Sequence, residues 1–226
     1  WLKLDDLITV GPLTENQKTA FEAYKKDNKS LILHGSAGTG KTFISIYLAL
    51  EQVLEKTNRQ YNKLYVIRSV VPTRDIGYLP GDKQEKIEVY EDPYMSICAE
   101  LFECKDAYEK LKQQGAIEFL PTSFVRGITF DNSIIIIDEC QNLNFHELDS
   151  VITRIGKDCK ILFCGDFYQT DFVRENEKQG LKKFIKILNH LPQFANIEFS
   201  CDDIVRSDLV KSYILAKNEL REQGIL

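Results

Sequence analysis

The chain has 226 residues, of which 43% are apolar and 28% charged, and its formal net charge is −5. This composition is typical of a folded globular protein and is far from that of a disordered chain. The acidic balance argues against a surface coated in basic groups, although a local basic groove is compatible with it. No apolar stretch approaches the roughly 20 residues that a membrane-spanning helix needs, so no membrane association is predicted.

The six cysteines include no C-x-x-C pair. A chain of this length buries a substantial core without disulfides, so free thiols in a reducing cytoplasm are the better interpretation. The cysteines and three histidines lack metal-ligand spacing, and no zinc site is predicted. The sequence starts at Trp1 rather than Met, which suggests that N-terminal residues are missing.

Strands and helices alternate along the sequence. The first helix is predicted to begin at Thr14, where Thr14 and Gln17 form a capping-box pattern. The later helices are predicted at 41–54, within 82–112, at 178–189 and at 206–222, and the strands at 30–34, 63–67, 117–120, 133–137 and 160–164. This alternation favours an α/β fold, a parallel sheet with helices on both faces. No linker separates two cores, so residues 1–226 are expected to form a single domain.

A glycine-rich turn follows the first strand. Its sequence, Gly35-Ser36-Ala37-Gly38-Thr39-Gly40-Lys41-Thr42, fits the phosphate-binding pattern G-x-x-x-x-G-K-[ST]. Glycines let the backbone wrap around an anion at the positive end of the next helix. Lys41 is predicted to reach the β- and γ-phosphates, and the Thr42 hydroxyl to bind Mg²⁺. Tight packing alone would also suit such a turn, but it leaves the lysine unexplained.

Two later strands end in polar residues. Asp138 and Glu139 follow a run of four isoleucines, at the end of a strand where ligands bind in parallel sheets. Asp138 is predicted to hold Mg²⁺ and Glu139 to polarise the attacking water, whereas acidic residues that simply cap a strand are the alternative. After the next strand, Gln169 is predicted to contact the γ-phosphate or the water.

These three segments, in this order, resemble the ATPase core of superfamily 1 helicases. Further segments are similar to motifs of the PhoH-like proteins. They are Ile76–Asp82 with Glu85, Lys86 and Asp92-Pro93-Tyr94, then Phe124–Phe130, Thr153–Gly156 and Asp202–Val210, and the resemblance covers roughly residues 13–217.

The resemblance implies a RecA-like P-loop domain that hydrolyses ATP with Mg²⁺ and associates with single-stranded RNA or DNA. It also implies a homo-oligomeric ring, such as a hexamer. By the same similarity Gln17 is expected to contact adenine, with helix capping as an equal alternative. The sequence departs from the family pattern at Cys140, which replaces an alanine, and at Ile128 and Ser207, which replace an arginine and a histidine.

An arginine that neutralises the γ-phosphate accelerates phosphoryl transfer by about 10³–10⁵-fold. The chain has no room for the second core that supplies this arginine in helicases. Arg206 is therefore the leading candidate in cis, with supply in trans from a neighbouring subunit as the alternative. The other candidates are Arg126, Arg154 and Arg174.

The nucleic-acid partner rests mainly on the resemblance. Two basic groups favour it, although either could be an ordinary solvated surface. They are Arg68, Arg74, Lys83 and Lys86 with Tyr78, and Arg174, Lys178, Lys182, Lys183 and Lys186. The alternatives to a strand-coupled ATPase are a nucleotide-dependent switch that acts on a protein and, less favoured, a small-molecule kinase.

Overall fold

Six parallel strands form the centre of the molecule. A computed structural model describes residues 1–70, 87–166 and 175–225, with the backbone alone for residues 175–178. The strands are β1 (Ser30–Gly35), β2 (Lys63–Arg68), β3 (Ile117–Pro121), β4 (Ser133–Ile137), β5 (Lys160–Gly165) and β6 (Phe194–Phe199). They pair in the order β3-β2-β4-β5-β1-β6, and each neighbouring pair is parallel. The predicted parallel α/β sheet is confirmed.

Helices lie against both faces of this sheet. They are α1 (Glu15–Lys25), α2 (Lys41–Val53), α3 (Asp92–Leu101), α4 (Ala107–Gln113), α5 (Phe145–Ile152), α6 (Glu175–Asn189) and α7 (Asp208–Glu222). Within the described parts of the chain, no helix is both long enough and apolar enough to span a membrane.

Two apolar clusters, one on each face, hold the layers together. Successive residues of a strand point to opposite faces, so the four isoleucines of β4 divide between the clusters. Ile134 and Ile136 pack with residues of α1 to α4, whereas Ile135 and Ile137 pack with residues of α5 and α6. All residues of β4 are buried, which explains why its sequence is continuously apolar rather than alternating.

The structure differs from the predicted elements at several places. Strand β6 was not predicted, because it is an edge strand in which only Ile197 and Phe199 are buried. The described residues of the helical region predicted within 82–112 include α3 and α4, with an interruption near Glu103, whose φ is +48°. Residues 82–86 of that region lie outside the described residues. The last helix begins at Asp208 rather than Arg206, because the backbone of Ser207 is not helical, with a ψ of 156°, and Ser207 precedes the helix as its N-cap.

Candidate nucleotide site

The phosphate loop lies between β1 and α2, at the carboxyl edge of the sheet. Its entry is fixed by β6, since the Ser36 amide donates to the Phe199 carbonyl over 2.9 Å. Gly35 has a φ of +111°, and a Cβ there would collide with the same carbonyl. Gly40, with a φ of +78°, is the N-cap of α2. The sequence Gly35–Thr42 therefore forms the strand–loop–helix that the motif predicts.

Lys41 folds back over this loop. Its Nζ donates to the carbonyls of Gly35 and Ser36, at 3.2 and 2.7 Å, and to the Thr39 hydroxyl at 3.2 Å. Burial lowers the pKa of Lys41, and the nearby carboxylates of Asp166, Glu139 and Asp138 oppose this shift. A half-buried ammonium group whose hydrogen bonds, within the described residues, go to neutral oxygens is a suitable partner for a phosphate.

Asp138 connects the end of β4 to the start of α2 and to α3. Its Oδ1 accepts a hydrogen bond from Thr42 Oγ1 over 2.8 Å, and its Oδ2 accepts one from Tyr94 Oη, also over 2.8 Å. The Asp138 amide donates to the Ile67 carbonyl of β2 over 2.9 Å. The two predicted metal ligands, Thr42 and Asp138, are thus in direct contact.

The charge around Asp138 suits a cation. Burial, followed by the charge of Glu139, raises the pKa of Asp138, and the hydrogen bonds from Tyr94 and Thr42 and the charge of Arg68 oppose this shift. Burial also works against the charge of Arg68, but Tyr94, Asp138 and Glu139 outweigh it and raise the arginine's pKa. Carboxylate and hydroxyl oxygens are the hard ligands that Mg²⁺ prefers, and a divalent ion would compensate the buried negative charge. The residues present therefore fit Mg²⁺.

Glu139 is held by a neighbouring amide. Its backbone is left-handed, with a φ of +48°, so that the chain turns sharply after β4. Gln141 Nε2 donates to Glu139 Oε2 over 2.5 Å, while Gln141 Oε1 accepts from the Asp166 amide over 3.1 Å. Gln141 therefore links the predicted catalytic carboxylate to the end of β5. A Cβ at Gly165 would collide with Cys140 Sγ and Gln141 Oε1, so any larger residue there would have to displace one of these side chains.

Gln17 forms a hydrogen bond to the phosphate loop. It is buried, and its Nε2 donates to the Thr39 carbonyl over 3.0 Å while its Oε1 accepts from the Leu13 amide over 2.8 Å. The Thr14 hydroxyl accepts from the Gln17 amide, so half of the predicted capping box forms. The glutamine side chain bonds to Leu13 rather than to Thr14, because its other end reaches the loop. An amide has two donor hydrogens and two acceptor lone pairs, and these bonds use one of each.

Arg206 lies against the phosphate loop. A Cβ at Gly38 would be 2.9 Å from Arg206 Cγ, and the Val205 amide donates to the Gly38 carbonyl over 3.0 Å. Cys201 Sγ lies 3.6 Å from Ser36 Oγ. The segment after β6 thus covers the outer side of the loop and brings the candidate arginine to it.

The other predicted residues lie apart from this loop or outside the described residues. Arg126 is exposed beyond β3, and Arg154 donates to the Ser150 carbonyl at the end of α5 over 2.9 Å. Arg68, predicted to contact nucleic acid, instead faces Asp138 and Tyr94 at the end of β2. Outside the described residues lie Gln169, Arg174, Arg74, Tyr78, Lys83 and Lys86.

Sequence reasoning gave Tyr94, Arg68 and Gln141 no role at the nucleotide site. Tyr94 belongs to the Asp92-Pro93-Tyr94 segment that resembles the family, but the resemblance assigns it no role. A role for Gln141 could have been predicted from the sequence, because it lies two residues after Glu139.

The arrangement defines a class of protein. A parallel strand, a glycine-rich loop ending in Lys41 and Thr42, and an acidic strand end beside them are typical of P-loop nucleoside triphosphatases. The fold is similar to that of the large terminase from the thermophilic bacteriophage D6E, with a TM-score of 0.50 at 12% sequence identity, covering 90% of this chain and 50% of that chain.

The chain belongs to the PhoH-like protein family, whose family model matches residues 9–218. A PhoH-like protein of Synechocystis sp. is 32% identical over 204 residues, which are 90% of this chain and 60% of that protein. Protein PhoH of Escherichia coli is 31% identical over 186 residues, which are 81% of this chain and 51% of that protein. The chain thus spans 51–60% of the length of these two relatives.

Proposed function

We propose that this protein hydrolyses ATP to ADP and phosphate with Mg²⁺ and couples the reaction to single-stranded RNA or DNA. The observation that carries the ATPase is the contact of Thr42 with Asp138 beside the phosphate loop. A loop built only for tight packing would not need a hydroxyl, a buried carboxylate and an ammonium group at one point.

Each residue at the edge has a defined role in the proposed reaction. The loop amides and Lys41 bind the phosphates, and Thr42 and Asp138 hold the metal ion. Bound Mg²⁺ supplies neutralisation of charge on the phosphate oxygens. Glu139, oriented by Gln141, aligns and polarises the attacking water. Gln169 contacts the γ-phosphate, and Arg206, from this subunit or a neighbour, neutralises charge that develops there.

The base of ATP is assigned to the region of Gln17. A cleft of about 520 Å³ is lined by its chain neighbours, including Leu13, Thr14, Asn16 and Lys18, whereas Gln17 itself is 2% exposed and does not line this cleft. The remaining hydrogen-bonding capacity of the Gln17 amide matches adenine, which offers a donor and an acceptor on one edge. Gln17 would then connect the base to the phosphate loop through the Thr39 carbonyl.

Two exposed surfaces support a nucleic-acid partner. The turn after β3 carries Phe124, whose side chain is 57% exposed, and the exposed Arg126, and it directly follows Pro121, which pairs with Arg68 in β2. An aromatic ring and a cation suit base stacking and phosphate neutralisation. Helix α6 adds a second basic surface, formed by the exposed side chains of Lys182, Lys183 and Lys186.

An apolar stripe supports the proposed homo-oligomer. Helix α7 places Leu209, Tyr213 and Leu220 on one face at helical spacing, and Leu209 and Tyr213 are 80% and 65% exposed. Exposed apolar patches of this kind occur at protein–protein contacts. A ring such as a hexamer would bring a neighbour close to the phosphate loop that the same segment covers. A cytoplasmic location belongs to this proposal, and it is supported by the six free thiols.

The test is phosphate release from Mg-ATP with and without single-stranded RNA or DNA, with Lys41→Ala as the blank. Stimulation by a strand, absent from the blank, is the expected result. ATP turnover that is the same with and without a strand would agree with the proposed ATPase activity. It would favour the alternative partner, so that the protein would be a nucleotide-dependent oligomeric switch that acts on a protein. Turnover of the wild type equal to that of Lys41→Ala would contradict the ATPase itself.

A further inference from the structure

Tyr94 of α3 contacts Asp138, which lies at the end of β4. The tyrosine lies in the first turn of α3, and its side chain is 0% exposed. Its ring packs against Phe119 of β3, with the ring centroids 5.8 Å apart. Only the hydroxyl reaches Asp138, which lies 44 residues further along the chain.

The two oxygens of Asp138 have different partners. Oδ2 accepts from Tyr94 and Oδ1 accepts from Thr42, and both distances are 2.8 Å. A carboxylate held at one oxygen cannot rotate freely about its terminal bond. The hydroxyl of Tyr94 therefore leaves the other oxygen directed at Thr42, which is the second candidate ligand.

The start of α3 is itself fixed. Glu91, just before the helix, accepts hydrogen bonds from Tyr108 Oη at 2.7 Å and Lys112 Nζ at 3.2 Å, both from α4. The Tyr94 amide donates to the Glu91 carbonyl over 2.9 Å. A tyrosine whose ring and backbone are both held is a stable anchor for the carboxylate.

We propose that Tyr94 is a positioning residue for the metal site, which fixes the Asp138 carboxylate so that Oδ1, with Thr42, faces the divalent cation of bound nucleotide. The proposal rests on the proposed Mg²⁺-dependent nucleotide binding. Groups that orient metal ligands typically contribute about 10- to 100-fold to metal affinity. The effect therefore concerns the metal, and it does not concern the contacts of the loop amides with phosphate.

The test is the affinity for a non-hydrolysable ATP analogue, measured by calorimetry in excess EDTA and across a Mg²⁺ titration. Tyr94→Phe keeps the ring on Phe119 and removes only the hydroxyl, so the variant is expected to fold. Its affinity in EDTA should equal that of the wild type, and the Mg²⁺ concentration for half-maximal enhancement should rise about 10-fold. Mn²⁺ binding to the analogue complex, followed by electron paramagnetic resonance, should weaken in parallel.

The matched control is Tyr47→Phe. This variant also removes the hydroxyl of a buried tyrosine that donates to a carboxylate, here Glu51 within α2, and it leaves Asp138 and the start of α3 untouched. An unchanged Mg²⁺ midpoint in Tyr94→Phe, or an equal shift in Tyr47→Phe, would overturn the positioning role. A wild type that binds the analogue equally well in EDTA and in Mg²⁺ would overturn the proposed metal site as well.

Discussion

The phosphate loop has two flanks that are built differently. The inner flank, formed by Thr42, Asp138 and Glu139 with their partners, lies at the ends of buried central strands. The outer flank, formed by Cys201–Arg206 and α7, follows the edge strand β6. Asp138 is buried and bonded at both oxygens, whereas none of the residues of α7 is buried.

This difference separates the groups proposed for metal binding and water activation from the arginine proposed to neutralise the γ-phosphate. The inner flank shares side chains and backbone with the core of the sheet, so a change there affects stability together with chemistry. The outer flank contacts the loop through the Val205 amide and the side chains of Cys201 and Arg206. The residues proposed to bind the metal ion and the water thus lie on the buried core of the sheet. The arginine proposed to complete the site lies on an exposed segment, and a neighbouring subunit could supply this arginine instead.

The largest expected effect is on the outer flank. Arg206→Ala should reduce ATP turnover by about 10³-fold or more, because this arginine is proposed to neutralise the γ-phosphate. The midpoint of urea unfolding should not change, because Arg206 is exposed. Arg221→Ala, in the last turn of α7, is the control and should keep wild-type turnover.

Mixing distinguishes supply in cis from supply in trans. If Arg206 acts on a neighbour, Arg206→Ala mixed with Lys41→Ala should regain turnover, since each variant supplies what the other lacks. Wild-type turnover of Arg206→Ala by itself would contradict the assignment of this arginine.

On the inner flank, one methyl group should be sufficient to disturb the structure. Gly165→Ala places a Cβ within 3.0 Å of Cys140 Sγ and Gln141 Oε1. Overpacking of this kind costs about 1–3 kcal/mol, and the same collision displaces the amide that holds Glu139. The midpoint of urea unfolding and the rate of ATP turnover should both fall. Gly11→Ala is the control, since no atom lies within 4 Å of its added Cβ, and equal stability of the two variants would contradict the packing argument.

The parts of the site that the sequence predicted are contiguous. Gly35–Thr42 and Asp138-Glu139 each combine their functional groups within one turn of chain, so spacing alone identifies them. The alternation of elements predicted the parallel sheet, which places both segments at one edge. The direct contact of Thr42 with Asp138 follows from these two facts.

The remaining parts depend on packing between distant elements. Tyr94 and Arg68 reach Asp138 from α3 and β2, and no local pattern distinguishes a tyrosine that packs from one that also donates to a carboxylate. Gln17 had two equal interpretations from the sequence, because its choice of partner depends on where the loop lies. Strand β6 was missed for a related reason, since an edge strand needs little apolar sequence.

The smallest expected effect lies at the opposite end of β5 from Gly165. Lys160 is 2% exposed, its Nζ donates to the Tyr24 carbonyl over 3.1 Å, and it lies 3.8 Å from the centre of the Tyr24 ring. Burial lowers the pKa of Lys160 to about 8, from an ordinary value of 10.5. Between these two values the unfolded chain binds more protons at this lysine than the folded chain does, so stability should rise with pH.

Lys160→Met isolates this contribution, because methionine fills a similar space without titrating. The free energy of unfolding of the wild type minus that of Lys160→Met should be flat below pH of about 8 and should increase as the pH rises towards 10.5. Urea unfolding at several pH values measures this difference, and a difference independent of pH would contradict the shifted pKa. Affinity for nucleotide should be the same in both proteins, because Lys160 lies at the amino end of the strand and the phosphate loop lies at the carboxyl edge.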